Sequence, residues 1–308
     1  MILIFSKRND HATSQVCLWL QNLQKEFIRL NAEDNYIFSY ISRKKIIVEK
    51  NKKQYNLLEC DSYWYRREGI SPKHFNYRKT KLSYVEMNHV KMEYQTLKEY
   101  IYMTIEDNIP ESQKIGSYFT RSVNKLHILD VAHKIGLKVP QTYVVCEKKY
   151  IDTSKAHITK PIFEGFYERE NKNFLYSYTN ELSDITSLPS TFMSSCIQEK
   201  LQKAFELRIF FLRDKYYSFA IFSQQDSDTI IDCRKGKTVR YVAYEIPKSI
   251  EFKLTKLVKQ IQLVTGSIDM VVDTDGEYIF LEVNPVGQFV AYGEFCNSYL
   301  DKLIAENL

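Results

Sequence analysis

Ser267-Ile-Asp-Met-Val-Val-Asp-Thr-Asp-Gly-Glu-Tyr-Ile-Phe-Leu-Glu-Val-Asn-Pro-Val-Gly-Gln-Phe289 lies near the end of this 308-residue sequence. Its Asp275-Gly276 pair favours a two-residue hairpin turn, because alternating apolar residues flank it. Antiparallel pairing from that turn places Asp269 opposite Glu282. Asn284 lies two residues beyond Glu282 and therefore shares its face. The stretch predicts a β-hairpin with three oxygen-bearing side chains on one face.

The opposite face of this hairpin is predicted to pack into the core. Pairing outward from the two-residue turn places Asp273 opposite Tyr278. The apolar residues that then point away from the carboxylates are Met270, Val272, Ile279, Leu281 and Val283. Because a one-residue slip would turn these side chains toward the wrong face, their alternation supports the predicted register.

Two carboxylates directly opposite each other on a sheet repel. At a separation of about 5 Å and an effective dielectric constant near ~20, the cost is about 3 kcal/mol. A cation between them removes this cost, and Mg²⁺ prefers oxygen ligands of Asp, Glu and Asn. The alternative is a hairpin whose acidic side chains point into water. The hairpin predicts a magnesium site, with the solvated hairpin left open.

Composition and charge bound the class of protein. A chain of 308 residues and 36.5 kDa with 44% hydrophobic residues can bury a core divided among two or three domains. The net charge of +5 is too small to indicate a nucleic-acid partner, although it favours an acidic one. We therefore expect a globular protein that does not bind nucleic acid.

The cysteines and the N-terminus bear on the cellular compartment. The six cysteines form no CxxC pair, which argues against a zinc site and indicates reduced thiols in a cytosolic protein. Met1–Phe5 is too short for a signal peptide and predicts a first strand. No apolar run reaches the length of a membrane span. The sequence predicts a cytoplasmic protein without a membrane partner.

Periodicity predicts an α/β protein that begins with a βαβ unit. Strands are expected over 1–5 and 27–30, with a helix over about 13–25 between them. A long helix is expected over 84–105, so that residues 1–115 form one α/β domain. A further helix over 123–135 ends at Gly136, which is typical of a helix C-cap.

No glycine-rich phosphate loop of the GxxxxGK[ST] or GxGxxG type is present, so cations elsewhere have to hold any nucleotide. Lys125 lies in the first turn of a predicted helix. Lys160 ends a predicted strand and precedes a loop over about 163–173. Taken singly, each is more typical of a solvated surface lysine.

Two further segments carry charges beside predicted strands. Gln198–Leu201 follows one strand and Glu206–Arg208 starts another, an arrangement that offers backbone groups to an adenine. Asp232–Arg234 is a candidate phosphate contact. The alternatives are an ordinary acidic loop and a surface ion pair of little energetic weight.

The order of these residues resembles the ATP-grasp superfamily, whose pattern is two lysines, an acidic hinge, an Asp and a final Glu-x-Asn. The series here is Lys125, Lys160, Glu199 with Lys200, Glu206, Arg234, Asp269, Glu282 and Asn284. Within the superfamily the chain is most similar to graspetide synthetases of the grasp-with-spasm type, which are related to microviridin-type and RimK-like ligases.

Four segments carry this narrower resemblance, which spans nearly the whole chain. They are Met1-Ile-Leu-Ile-Phe-Ser6, Trp64-Tyr-Arg-Arg67, Asp232-Cys-Arg234 and Leu281-Glu-Val-Asn-Pro-Val-Gly-Gln288. Relatives often carry Trp and Asn where Cys233 and Val286 stand. These departures bear on substrate preference rather than on nucleotide chemistry.

The resemblance implies an ATP-grasp fold of three domains, at 1–115, 116–196 and 197–308. It implies an ATP-dependent macrocyclase that uses ATP and two Mg²⁺ ions. The implied metal ligands are Asp269, Glu282 and Asn284. The implied ATP-binding residues are Lys125, Lys160, Glu199, Lys200, Leu201, Glu206 and Arg234. The implied catalytic residues are Lys160, Arg208 and Arg234.

The implied substrate is a ribosomal precursor peptide whose acidic side chains are activated and joined to Ser or Thr hydroxyls or Lys amines. Arg66 and Arg67 are candidate substrate-binding residues, because a basic surface attracts an acidic peptide. They follow an aromatic strand and are expected to point to opposite faces, so one faces the cleft. Whether the protein forms a homodimer is left open.

Two other functions stay open at this point. The first is an ATP-grasp carboxylate–amine ligase of the RimK type, which adds an amino acid to a protein or a small acid. The second is a non-catalytic protein that binds ATP or a peptide. The intact Asp269, Glu282 and Asn284 set argues against the second.

Overall fold

The structure is a computed structural model, and it describes residues 1–75, 82–163, 167–170, 173–176, 179–223 and 239–308, with side chains omitted between 164 and 178. The helices, in chain order, are α1 (His11–Asn22), α2 (Tyr84–Asn108), α3 (Lys125–Ile135), α4 (Lys248–Gln260), α5 (Val290–Phe295) and α6 (Leu300–Asn307).

The strands of the first half are β1 (Ile2–Ser6), β2 (Phe27–Asn31), β3 (Tyr36–Ile41), β4 (Ile46–Lys50), β5 (Lys53–Asn56), β6 (Ser62–Tyr65), β7 (Lys114–Ile115), β8 (Thr142–Glu147) and β9 (His157–Lys160). Those of the second half are β10 (Tyr167–Glu170), β11 (Asn173–Tyr176), β12 (Asn180–Glu181), β13 (Thr191–Glu199), β14 (Lys203–Leu212), β15 (Lys215–Phe222), β16 (Arg240–Tyr244), β17 (Thr265–Asp273) and β18 (Tyr278–Asn284).

The chain divides into two compact units. Unit 1 comprises residues 1–121, 288–294 and 299–308, and unit 2 comprises residues 122–287 and 295–298. The predicted division into three domains stays a prediction.

Unit 1 is built on a parallel sheet in the order β2-β1-β6-β7. The predicted βαβ start is confirmed, although α1 begins at His11 rather than near residue 13. It begins there because the Asp10 carboxylate accepts a hydrogen bond from the Thr13 N–H and caps the helix. Helix α2 begins at a capping box of Ser83 and Glu86.

The core of unit 1 is aromatic. Phe5 is fully buried and makes edge-on contacts with Tyr63 and Tyr102. The antiparallel strands β3, β4 and β5 contribute apolar side chains to the same core. The sheet is thereby fixed, with the carboxyl ends of β1 and β6 near the start of α1.

Among the described residues, unit 2 contains three antiparallel sheets, in the orders β10-β11, β12-β9-β13-β8 and β16-β15-β14-β17-β18. Helices α3 and α4 bury their apolar residues, such as Ile128 and Leu254, in one core with residues of β14, β17 and β18. The Asn124 side chain caps the start of α3, and Gly136, at a φ of +89°, ends it as predicted.

In the described part of the chain, no helix combines the length and the apolar character that crossing a membrane requires.

Candidate active site

Strands β17 and β18 form the predicted hairpin, but the loop that joins them has three residues rather than two. The Asp273 N–H donates to the Glu277 carbonyl at 3.1 Å, and Gly276 N–H donates to the Asp273 carbonyl at 3.1 Å. Gly276 has a φ of +82°, which lies in the left-handed region that glycine adopts most easily. The Asp273 carboxylate accepts from the backbone N–H of Asp275 at 3.0 Å and stabilises the loop.

The longer loop shifts the pairing next to it by one residue. Tyr278 pairs with Val272 and not with Asp273, so that part of the predicted register is wrong. A β-bulge at Leu281 then adds one residue to β18, which restores the register beyond it. Asp269 lies opposite Glu282, as predicted. The correct pairing thus arises from two shifts that compensate each other.

The same two shifts change which residues face the core. Met270, Val272 and Val283 are buried in the core of unit 2, as predicted. Phe280, which was not predicted, is fully buried in that core, whereas Leu281 is only half-buried. Ile279 is buried but lies outside this core cluster. The hairpin therefore has an apolar face, as predicted, but the β-bulge changes which residues of β18 belong to it.

Asp269 and Glu282, here called the carboxylate pair, each have a cationic partner. Arg208 is the partner of Asp269 in the pairing of β14 with β17, and its Nη1 donates to Asp269 Oδ2 at 2.8 Å. Lys125, in the first turn of α3, places its Nζ 2.9 Å from Glu282 Oε2. Part of the repulsion is therefore neutralised by protein cations, which the sequence argument for a metal ion did not include.

The pKa values of the two carboxyls are shifted in opposite directions. Burial is the main cause that raises the pKa of Asp269 to about 7; Arg208 opposes this shift, while the negative charges of Glu282 and Glu206 add to it. Burial also disfavours the charged form of Glu282, but Lys125 outweighs it and holds the pKa of that carboxyl below its ordinary value. Burial therefore makes the negative charge of Asp269 energetically costly, and a cation beside it would lower that cost.

Lys160 ends β9, as predicted, and belongs to the same cluster. Burial lowers the pKa of its ammonium group, against the effect of the nearby Glu282 carboxylate and together with that of Lys125. Its backbone partner on β13 is Cys196. The structure thus brings together Lys125, Lys160 and Arg208 around the carboxylate pair.

Asn284 lies on the strand that carries Glu282, opposite Ser267. Its Oδ1 accepts from the Val286 N–H at 3.1 Å, and its carbonyl accepts from the Gly287 N–H at 3.0 Å. A Cβ at Gly287 would lie 2.1 Å from Ser267 Oγ, so only glycine allows this close approach. The Asn-Pro-x-Gly segment is therefore a turn that fixes the Asn284 amide, whose oxygen keeps a second lone pair.

The predicted hinge makes its contacts within unit 2. The Glu199 carboxylate accepts from the Gln141 N–H at 2.8 Å, and the Lys200 Nζ lies 2.6 Å from Glu181. The backbone N–H groups of Glu199 and Lys200 donate to the carbonyls of Gln141 and Ala156. A nucleotide contact from this segment therefore has to use other backbone groups, such as those of the half-buried Leu201.

Glu206 and Arg208 lie inside β14 rather than at its start, because the strand already begins at Lys203. The Glu206 Oε1 accepts from Lys203 Nζ at 2.7 Å and from Ser223 Oγ at 2.9 Å. Lys203 was missed, because regular alternation places residues three apart on opposite faces of a strand. The irregularity between Lys203 and Phe205 precedes this contact, and no local pattern predicts it.

Arg66 and Arg67 are placed together in unit 1, so the expected alternation is wrong. Strand β6 ends at Tyr65, and the two residues beyond it both donate their backbone N–H groups to the Phe5 carbonyl. Both guanidinium groups then reach Asp10, with Arg67 Nε at 2.7 Å and Arg66 Nε at 3.5 Å. Asp10 was missed, although its position before α1 marks it as a helix cap.

Some predicted residues lie outside the described part of the chain. These are Arg234 with the whole segment 232–234, and residues 164–166 and 171–172 of the predicted loop over 163–173.

The carboxylate pair fits a hard cation. Within the described ranges, no three His, Cys, Asp or Glu side chains converge on one point, so the protein offers two carboxylates and the Asn284 amide. Mg²⁺ is held in this way when phosphate oxygens complete its shell. The observation that supports this fit is the pairing of Asp269 directly opposite Glu282, where burial makes the Asp269 charge costly without a cation.

Solved structures with the same fold are known. A RiPP-associated ATP-grasp ligase of Chryseobacterium gregarium, in complex with ADP and a leader and core peptide, superposes with a TM-score of 0.79 at 24% identity, over 99% of this chain and 95% of that chain. The fold is that of the ATP-grasp ligases. The predicted fold class is thereby confirmed.

Two other ATP-grasp structures agree. The macrocyclase MdnC of Microcystis aeruginosa MRC, bound with precursor peptide MdnA, has a TM-score of 0.76 at 22% identity over 99% of this chain and 98% of that chain. PsnB, complexed with minimal precursor, Mg and ADP, has a TM-score of 0.74 at 17% identity over 99% and 95%. No protein-family model and no curated protein matches the chain.

Proposed function

We propose that the protein is an ADP-forming ATP-grasp ligase that macrocyclises a ribosomal precursor peptide in the cytoplasm. The observation that carries this proposal is the gathering of Lys125, Lys160 and Arg208 around the carboxylate pair. Cations beside two adjacent carboxylates suit the phosphates of ATP together with Mg²⁺, because the metal needs the carboxylates and the phosphates need the cations.

The reaction has two steps. An oxygen of an Asp or Glu side chain of the peptide attacks the γ-phosphorus, the bond from that phosphorus to the β,γ-bridging oxygen breaks, and ADP leaves. A Ser or Thr hydroxyl, or a Lys amine, of the same peptide then attacks the acyl carbon and loses its proton, and phosphate leaves. Each ring formed removes one water from the mass of the peptide.

The residues of the chain divide this work by charge. Asp269, Glu282 and Asn284 would hold Mg²⁺, which neutralises phosphate charge as the phosphoryl group moves. Lys125 and Lys160 are placed to attract the phosphates, and Arg234 is proposed to join them. Arg208 holds Asp269 in place through their 2.8 Å hydrogen bond. The proposed adenine contacts come from Glu199, Lys200, Leu201 and Glu206.

No nucleophile of the protein is needed in this scheme. The attacking groups all belong to the peptide, and the chain supplies orientation and electrostatic stabilisation. A peptide partner is also in keeping with the fold neighbours, two of which were solved with peptides described as precursors.

The test is co-expression with a candidate precursor, one with repeated Thr or Ser and Glu or Asp in its tail, followed by an intact mass. We expect the loss of one or more waters, and mild alkaline hydrolysis then separates esters from amides. A gain equal to an amino-acid residue would instead establish a carboxylate–amine ligase. An unchanged mass for every acidic precursor tested, without ADP formation, would refute the proposal.

A further inference from the structure

Unit 1 contains a cavity that the nucleotide chemistry does not use. Its volume is about 430 Å³, and its lining includes Lys7, Asp10, His11, Arg66, Arg67 and Phe289. All of these residues belong to unit 1, so the cavity is complete within that unit. A cavity of this size has room for a side chain of a bound peptide and for part of its backbone.

Arg66 forms the fixed part of the cavity wall. It is 5% exposed, its guanidinium lies 5.2 Å from the centre of the Phe289 ring, and its backbone N–H is bound to the Phe5 carbonyl. Such a side chain is held by its surroundings and has little freedom to follow a ligand. Its function is therefore to supply charge and to orient its neighbours.

Arg67 is the more accessible of the two. Its side chain is 37% exposed, and its Nε donates to Asp10 Oδ2 at 2.7 Å. In the part of the chain that the structure describes, Asp10 is the one side chain to which this guanidinium donates. Its Nη1 and Nη2 groups are consequently available to a ligand with two acceptor oxygens.

The charges that line the cavity are out of balance. Arg66 and Arg67, here called the arginine pair, share the single carboxylate of Asp10, and Lys7 adds a third cation. The second acid in the lining, Glu33, accepts a hydrogen bond from the Arg8 backbone N–H at 2.9 Å. The cavity thus has an excess of positive charge of about one unit, which suits a monoanion better than a phosphate dianion.

We propose that this cavity binds the side-chain carboxylate of an acidic residue of the peptide substrate, with the Nη1 and Nη2 groups of Arg67 as the donors. Planar guanidinium and carboxylate groups match in a two-point geometry. Asp10 and Arg66 are positioning residues, because Asp10 fixes the Arg67 Nε while Arg66 keeps Asp10 charged. The inference rests on the proposed function only for the source of the carboxylate.

The experiment measures binding of a fluorescent peptide with a repeated Thr-Glu sequence, without nucleotide, against a matched peptide with Gln for each Glu. We expect the Glu peptide to bind about tenfold more tightly, since a charge-assisted hydrogen bond contributes more than a neutral one. Arg67→Gln should remove this preference, and Arg67→Lys should restore part of it. Arg43→Gln, which removes an exposed arginine elsewhere in unit 1, is the matched control.

Asp10→Asn provides a variant in which peptide affinity should increase rather than decrease. Asn is also a good helix cap and keeps an amide oxygen that can accept from Arg67 Nε, so α1 and the position of Arg67 are retained. The substitution removes the negative charge that competes with the ligand for Arg67. We expect tighter binding of the Glu peptide, which general destabilisation cannot produce. Equal binding of the two peptides, or an equal loss in Arg43→Gln and Arg67→Gln, would overturn the inference.

Binding of Mg²⁺ with ADP, measured on the same samples, separates this inference from the proposed function. If the Glu preference depends on Arg67 while Mg²⁺ and ADP do not bind, the cavity is as inferred and the ligase proposal fails. If Mg²⁺ and ADP bind and the Glu preference is absent, only the inference fails.

Discussion

The carboxylate pair of unit 2 and the arginine pair of unit 1 are charged clusters of opposite sign. In the first, two carboxylates lie opposite each other, and burial raises the pKa of Asp269 to about 7. In the second, burial and the neighbouring Arg67 lower the pKa of Arg66 to about 10, although Asp10 opposes the shift. In each cluster, burial is the largest effect that disfavours the charged form of one residue, Asp269 in the first and Arg66 in the second.

The comparison shows how the sign of a buried charge indicates the class of ligand. Burial makes an ionised group costly, and a ligand of the opposite charge lowers that cost. The carboxylate pair therefore favours a cation, and the arginine pair favours an anion. In unit 1, Asp10 remains ionised and holds both guanidinium groups.

The largest expected effect is the loss of turnover when one carboxylate of the pair is neutralised. Glu282→Gln keeps the shape of the side chain but removes one charged oxygen ligand of the proposed metal. We expect Mg²⁺-dependent ADP formation to fall about 10³-fold, since a metal ion contributes several kcal/mol to the transition state. Glu277→Gln, an exposed position on the same hairpin, is the control, and an equal loss there would contradict the assignment.

A second prediction concerns stability, and here the two clusters should respond with opposite signs. Burial opposes the charge of Asp10, but the coulombic effect of Arg66 and the hydrogen bond from Arg67 outweigh it and lower its pKa from 3.8 to about 2. Its charge thus stabilises the folded state above pH 4, and this is lost as the pH falls through 2. Asp10→Asn should lower the free energy of unfolding at pH 8 by about 2 kcal/mol.

Asp269 is the reverse case, because its folded pKa lies above its unfolded value. The folded state binds the proton more tightly, so stability falls as the pH rises from 4 to 7. In metal-free protein at pH 8, Asp269→Asn should raise the free energy of unfolding by about 2 kcal/mol. This is roughly half of the value that the full pKa shift of Asp269 corresponds to, because the substitution also removes the charged partner of Arg208. Denaturant unfolding of Asp10→Asn and Asp269→Asn tests this contrast. A change in the free energy of unfolding with the same sign in both variants would contradict it.

The smallest expected effect is the pH dependence of metal binding. A metal requires the ionised form of Asp269, so the affinity for Mn²⁺, used as a spectroscopic probe without nucleotide, should be about tenfold weaker at pH 6 than at pH 8. Asp10→Asn should leave this dependence unchanged, since Asp10 belongs to the other cluster. An affinity that stays constant over this range would mean that Asp269 is ionised throughout.

Much of the fold and part of the site were predictable because their signals are local. The apolar alternation in β17 and β18, the Asp275-Gly276 turn signal and the glycine that ends α3 act over a few residues. The register near the turn was not predictable, because a three-residue loop and a bulge occupy the same sequence as a two-residue turn. Only packing of Phe280 into the core distinguishes the two.

The arrangement around Arg66 and Arg67 was mispredicted for a related reason. A strand pattern implies that neighbouring side chains alternate, but it does not state where the strand ends. Strand β6 ends at Tyr65, where the Phe5 carbonyl accepts both following N–H groups. Both guanidinium groups then lie on the side of Asp10.

The sequence by itself determined that Asp269 and Glu282 lie on the two strands of one hairpin, and that lysines stand at the start of α3 and the end of β9. The loop and the bulge together place the two carboxylates opposite each other. Only the tertiary structure decided how these charges are neutralised. Arg208 meets Asp269 across 61 residues of sequence, and Arg67 meets Asp10 across 57. Coulomb energy depends on the distance between two charges in space and on their burial, and the local pattern of a sequence predicts neither quantity.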